Sequence, residues 1–73
     1  MATQIVMDHT GDTRHQFDPA DLSALAEAEA RFKALTGAGF TAAKRLGNGK
    51  AEVLRGFDGT AEEVLFIPRL QGG

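Results

Sequence analysis

The stretch FDPADLSALAEAEARFKALTGAG, Phe17 to Gly39, carries the clearest local signal in this chain of 73 residues. Asp18 is a good N-cap, Pro19 falls where a missing N–H costs nothing in a first helical turn, and Asp21 adds negative charge there. Leu22, Leu25, Ala28, Phe32 and Leu35 recur at steps of three and four and form one apolar stripe, and Gly37 stands where a helix can end. The spacing predicts one helix from about Pro19 to Leu35. On its outer face Glu27 and Arg31 have favourable i,i+4 spacing.

Working outward from that helix, both flanks read as hairpins. On the N-terminal side, TQIVMD (Thr3–Asp8) and TRHQF (Thr13–Phe17) bracket HTGD, in which Gly11 can supply a positive φ. On the other side, FTAAKRL (Phe40–Leu46) and KAEVLRGF (Lys50–Phe57) flank Asn48-Gly49, a strong two-residue hairpin signal. Asp58-Gly59 then turns the chain, with Thr60 and Glu63 at capping-box spacing for at most one helical turn. The last strand is EVLFI, Glu63–Ile67; its unbroken apolar run Val64–Ile67 fits a position in the middle of a sheet. Asp58 to Glu62 is a short connection, which favours an antiparallel neighbour and a meander of the three late strands. Pro68 cannot donate to a ladder and marks the point where the chain leaves the sheet. The expected architecture is α+β, ββαβββ, with one helix on a mixed sheet. The expected organisation is one domain over 1–68 and a flexible tail over 69–73.

Composition narrows the classes of function. With 42% hydrophobic and 25% charged residues the chain reads as an ordinary globular domain, of a size that leaves little room for a deep catalytic pocket. Ten acids against eight bases, net charge −2, give no basic stripe for a phosphate backbone, so nucleic acid is not an expected partner. The absence of cysteine removes disulfides, zinc knuckles and thiol nucleophiles. The apolar run VLFI is too short for a membrane span and the N-terminus lacks a signal-peptide pattern, so a cytoplasmic location and no membrane partner are expected. Asp8, His9, Asp12 and His15 are of metal-ligating types, but they cross a hairpin turn without a recognised ligand spacing and read as solvated turn residues. Ser23 has no sequence context for a nucleophile. The residues suggest no enzyme and no metal site.

The end of the sequence is of a different kind: RLQGG, Arg69 to Gly73. Glycine packs nothing and loses the most backbone entropy on ordering, so folding does not ask for a pair there. Gln4-Ile5, Thr10-Gly11 with Thr13, Pro19-Ala20-Asp21, and Arg69-Leu70 one residue before Gly72-Gly73 stand where ubiquitin-like proteins carry similar residues. In layout and in these short pieces the chain resembles the β-grasp family of ubiquitin and its relatives. The fold and tail are shared by the small sulfur carriers of thiamine and molybdopterin synthesis. The resemblance implies that an activating enzyme, using ATP, adenylates the Gly73 carboxylate. The acyl group then passes to a thiol and on to an amine of a target protein, or becomes a thiocarboxylate. Gly72 would be the slender neighbour, and Arg69, Leu70 and Gln71 would guide the tail into the activating enzyme and into any conjugating enzyme or Gly-Gly protease. The chain itself would bind no cofactor and act as a monomer. Ile67, with Leu65 on the same face of the last strand, falls where ubiquitin carries part of its partner-binding apolar patch. Three readings stay open: protein modifier, sulfur carrier, and a plain β-grasp interaction module. The chain departs from ubiquitin in its short connection before the last strand.

Overall fold

The computed structural model describes residues 1–68; Arg69 to Gly73 lie outside the described residues. The elements are β1 (Ala2–Asp8), β2 (Gly11–Phe17), α1 (Leu22–Gly37), β3 (Phe40–Arg45), β4 (Ala51–Leu54) and β5 (Glu63–Pro68). The five strands form one mixed sheet in the order β2-β1-β5-β3-β4, with α1 packed across one face. This is a small α+β fold of β-grasp type. β5 runs parallel to β1, with Ile5 beside Leu65, and antiparallel to β3, with Ala43 beside Leu65. The strand with the longest apolar run is therefore central, as its sequence implies, and Pro68 is its last residue.

α1 starts later than the sequence pattern suggests. Asp21, not Asp18, is the N-cap: its Oδ1 accepts from the N–H of Ser23 at 3.0 Å and of Ala24 at 3.3 Å. Asp18, Pro19 and Ala20 make a turn of their own, closed by the Asp21 N–H donating to the Asp18 carbonyl at 2.9 Å. Proline at the second position of such a turn fits its fixed φ as well as a first helical turn would. Leu22 consequently sits at the exposed helix start, 79% accessible, and drops out of the apolar stripe. At the other end the helix includes Gly37, and it is Gly39 that takes the positive φ, +105°, while its N–H donates to the Thr36 carbonyl at 3.2 Å.

Ala28 and Phe32 carry the helix into the core, where Phe32 meets Phe66 and Phe57 edge-on at ring separations of 5.8 and 5.9 Å. Arg31 does not pair with Glu27; the i,i+4 ion pair is Glu29–Lys33, at 3.6 Å. Arg31 instead turns to the sheet and donates through a terminal guanidinium nitrogen to Gln4 Oε1 at 2.7 Å. Gln4 is 1% exposed, and its Nε2 donates to the Ala28 carbonyl at 3.0 Å. A buried amide left unpaired costs about 1–3 kcal/mol, so satisfying both ends of Gln4 fixes α1 against β1.

The β1–β2 hairpin turns at His9-Thr10, with Gly11 at φ +131°. The β3–β4 loop is longer than two residues. It runs from Leu46 to Lys50, closed by Leu46 N–H on the Lys50 carbonyl at 2.7 Å and by Gly49 N–H on the Leu46 carbonyl at 3.2 Å. The meander expected of the late strands does not form: β3 lies between β4 and β5, so β4 and β5 are parallel. A short crossover suffices because β4 has only four residues. Leu54 is level with Ala42 and Val64 with Lys44, so the chain returns by two residues, about 7 Å, while crossing two strand spacings, about 10 Å.

Arg55–Glu62 makes this crossover on the helix side of the sheet, where Phe57 and Ala61 join the core. A Cβ on Gly59 would come within 3.2 Å of the Leu25 side chain, so glycine lets the crossover pass close to α1. There is no helical turn here; Asp58 organises the bend, accepting at Oδ1 from the Thr60 hydroxyl at 2.6 Å and the Thr60 N–H at 2.9 Å. Asp58 Oδ2 receives Lys44 Nζ at 3.1 Å, joining the crossover to β3. The Thr60 hydroxyl, its N–H and Lys44 together hold the Asp58 carboxyl at about 2, below its ordinary 3.8. A depressed carboxyl value means that folding favours the ionised form. Its contribution to stability is present above 3.8 and is lost as the pH falls towards about 2. In denaturant melts across that window, the parent protein should lose stability more steeply than Asp58→Asn. Equal slopes would show that the bend does not depend on this charge.

Candidate functional site

Because one helix covers one face, alternation along the strands sends every second side chain to the open face. Val64 and Phe66 point to α1, while Leu65 and Ile67 point away, as the sequence expectation has it. The registers line up Arg14, Ile5, Leu65, Ala43 and Val53 across all five strands, in the order β2 to β4. Ile67 lies one step further along β5 beside Thr41, and Met7 one step further along β1 beside Asp12. On the other side of the row Arg45 Nε and Glu63 Oε1 pair at 3.2 Å.

The row is graded in exposure. Ile5 and Ala43 are buried although no helix covers them, Leu65 is half-buried, and Ile67 and Val53 are exposed at 44% and 63%. Ile5 and Ala43 flank Leu65 in the ladder and act as the floor of a shallow apolar surface. The accessible apolar area comes from Ile67, Val53 and Met7. Sequence reading identified Leu65 and Ile67 but not Met7, Val53 or Ile5. The apolar run Ile5-Val6-Met7 offered a signal for β1, since one face alone cannot take all three; Val53 became assignable only once β4 was registered against β3. Exposed apolar side chains gathered on one face are the usual mark of a contact surface.

The other candidates disperse. Asp8 is held within its own turn, its Oδ1 receiving the Thr10 hydroxyl at 2.6 Å, which draws its carboxyl below the ordinary value. Asp12 lies 3.9 Å from Arg14 on the open face, whereas His15 belongs to the opposite side of β2. Among the described residues no cluster of three or more His, Cys, Asp or Glu is arranged to hold a metal, and no helix is long and apolar enough to cross a membrane. Gly72, Gly73, Arg69, Leu70 and Gln71, the residues of the tail expectation, lie outside the described residues.

No protein-family model matches the chain, and no curated protein or solved structure is significantly similar to it. The site therefore rests on its own geometry, and the placement of Ile67 is open to direct test. Ile67→Asp should leave the far-UV circular dichroism spectrum and thermal midpoint near those of the parent, because the charge enters water rather than the Phe32–Phe66 core. Cooperative unfolding lost in that variant would mean that the two faces are reversed.

Proposed function

We propose that this chain is a ubiquitin-like protein modifier, a substrate of conjugation rather than a catalyst. In this reading the Gly73 carboxylate, free or freed by a Gly-Gly protease, attacks the α-phosphate of ATP on an activating enzyme. Pyrophosphate leaves and a glycyl adenylate forms. A thiol displaces AMP to give a thioester, and a target amine displaces the thiol to give an amide. Gly72 keeps the reacting end thin enough for a narrow channel. Arg69, Leu70 and Gln71 are the residues by which an activating enzyme would recognise the tail.

The observation that carries this reading is where β5 sits. The strand immediately preceding Arg69-Leu70-Gln71-Gly72-Gly73 is the central strand of the sheet, clamped by β1 on one side and β3 on the other. A reactive end joined to such a strand can be pulled into an enzyme without opening the domain. The apolar row on the open face supplies a docking surface on the same strand, through Leu65 and Ile67. That row also favours a second reading, an interaction module that uses the face and has no need of the tail. In the sulfur-carrier variant the same adenylate ends as a thiocarboxylate, which mass spectrometry separates from a thioester-linked or amide-linked product.

Deleting Gly72 and Gly73 should change stability by no more than about 0.5 kcal/mol, since glycine has no side chain to bury. Phe32→Ala should cost about 3–5 kcal/mol, because it empties the space between Phe57 and Phe66. The truncated chain should melt like the parent yet fail to be adenylated by an activating enzyme encoded beside it. Retention of every partner-binding and conjugation activity by the truncated chain would reject both tail chemistries and leave the interaction module.

A further inference from the structure

Arg31 is placed with more care than a surface arginine needs. Its guanidinium is tethered by Gln4 Oε1 at 2.7 Å, and Gln4 is itself buried and anchored on the Ala28 carbonyl. A guanidinium carries five N–H donors, and the tether uses one of them. No carboxylate of a described residue forms an ion pair with Arg31, although Glu27 stands at i,i−4 on the same helix. Arg31 borders a cleft of about 530 Å³ between α1 and β2.

The shape of that cleft is informative. It is lined by five consecutive residues, Arg14 to Asp18, together with Met1 before β1 and Ala24, Glu27 and Arg31 of α1. Side chains of a strand alternate between faces, so a cleft lined by consecutive residues reaches the backbone of the strand as well as its α1-facing side chains. β2 is an edge strand, with no neighbour beyond it in the sheet. His15 stands close enough to Arg31 for that charge to reinforce desolvation in lowering its pKa. The acids at the rim are Asp18, whose Oδ1 already accepts from Ala20 N–H at 2.9 Å, and Glu27, which is exposed.

The geometry points to a carboxylate-binding site in the cleft between β2 and α1, with the Gln4-braced guanidinium of Arg31 as its anchor. A planar carboxylate matches the two-pronged donor edge of a guanidinium, and such charge-assisted pairs are about twice as strong as neutral hydrogen bonds. His15 adds a donor at the margin. The carboxylate has two sources: a free small acid, or a glutamate or aspartate side chain presented by an extended peptide along the β2 edge. This inference is independent of the tail chemistry and survives its failure.

The test is an NMR titration of the full chain, following backbone amides and the Arg31 side-chain signals. Sodium acetate, a blocked extended peptide carrying one Glu, and the same peptide with Gln are compared with sodium chloride at matched ionic strength. Saturable shifts confined to β2 and the α1 turn bearing Arg31 are expected. Saturation with acetate assigns the site to small acids; saturation with the Glu peptide, neither acetate nor the Gln peptide saturating, assigns it to an acidic side chain. Arg31→Gln should weaken binding at least tenfold, and Arg31→Lys should not restore it, because a point charge lacks the two-pronged edge. Glu27→Gln, at an exposed position that leaves the core untouched, should tighten binding by removing a competing carboxylate from the rim. No saturable response to any carboxylate, or an equal response to chloride, overturns the assignment. So does binding that Arg31→Gln and Glu27→Gln both leave unchanged.

Discussion

The structure depends on β5 lying between two hairpins that otherwise do not meet. β1–β2 and β3–β4 are each two-stranded, and a lone two-stranded ribbon is marginal in water. Among the described residues β5 is the strand that ladders to both, parallel to β1 over Glu63–Phe66 and antiparallel to β3 over Val64–Pro68. Phe66, fully buried, fits beneath Phe32 and so seats the helix on the joined sheet. The core cannot close until β5 has arrived, so the last of the described elements binds the earlier ones together.

Two polar devices hold the pieces that this arrangement brings near. On one flank, Gln4 and Arg31 fix α1 to β1 through a buried amide. On the other, Asp58, Thr60 and Lys44 fix the crossover to β3; Thr60 above all, with Lys44, holds the Asp58 carboxyl low, and Asp58 holds the Lys44 ammonium above its ordinary value, each favouring its charged form. The crossover is short because β4 is short, and it stays on the helix side because Phe57 packs against Phe32. The other face of the sheet is thereby left without a covering element of the described chain, which is what makes Ile67 and Val53 accessible.

Much of this was legible in the sequence. The apolar steps Leu25, Ala28, Phe32 and Leu35 specify a helix, and the unbroken run Val64–Ile67 specifies a strand buried between neighbours. What was not legible depended on pairing. Asp18 and Asp21 are both competent caps, and the choice was decided by a proline turn that local propensity scores equally well as a helix start. The order of β3, β4 and β5 turned on how far β4 extends, which AEVL does not reveal: β4 ends at Leu54 beside Ala42, although β3 runs on to Phe40. Of the site, Leu65 and Ile67 followed from alternation alone. The Arg31–Gln4 contact, spanning 27 residues, had no local signature, and Glu27 at i,i−4 offered a plausible but unused partner.

If β5 is the keystone, local stability should follow the sheet order. Native-state hydrogen exchange resolves this residue by residue. The account predicts that the slowest amides are those joining β5 to β1 and β3, exchanging only through global unfolding, while amides at the β4 edge and in the β3–β4 loop exchange through smaller openings. Exchange from β5 at lower free energy than from the β1–β2 hairpin would contradict it, because the hairpins would then be holding β5 rather than being held by it.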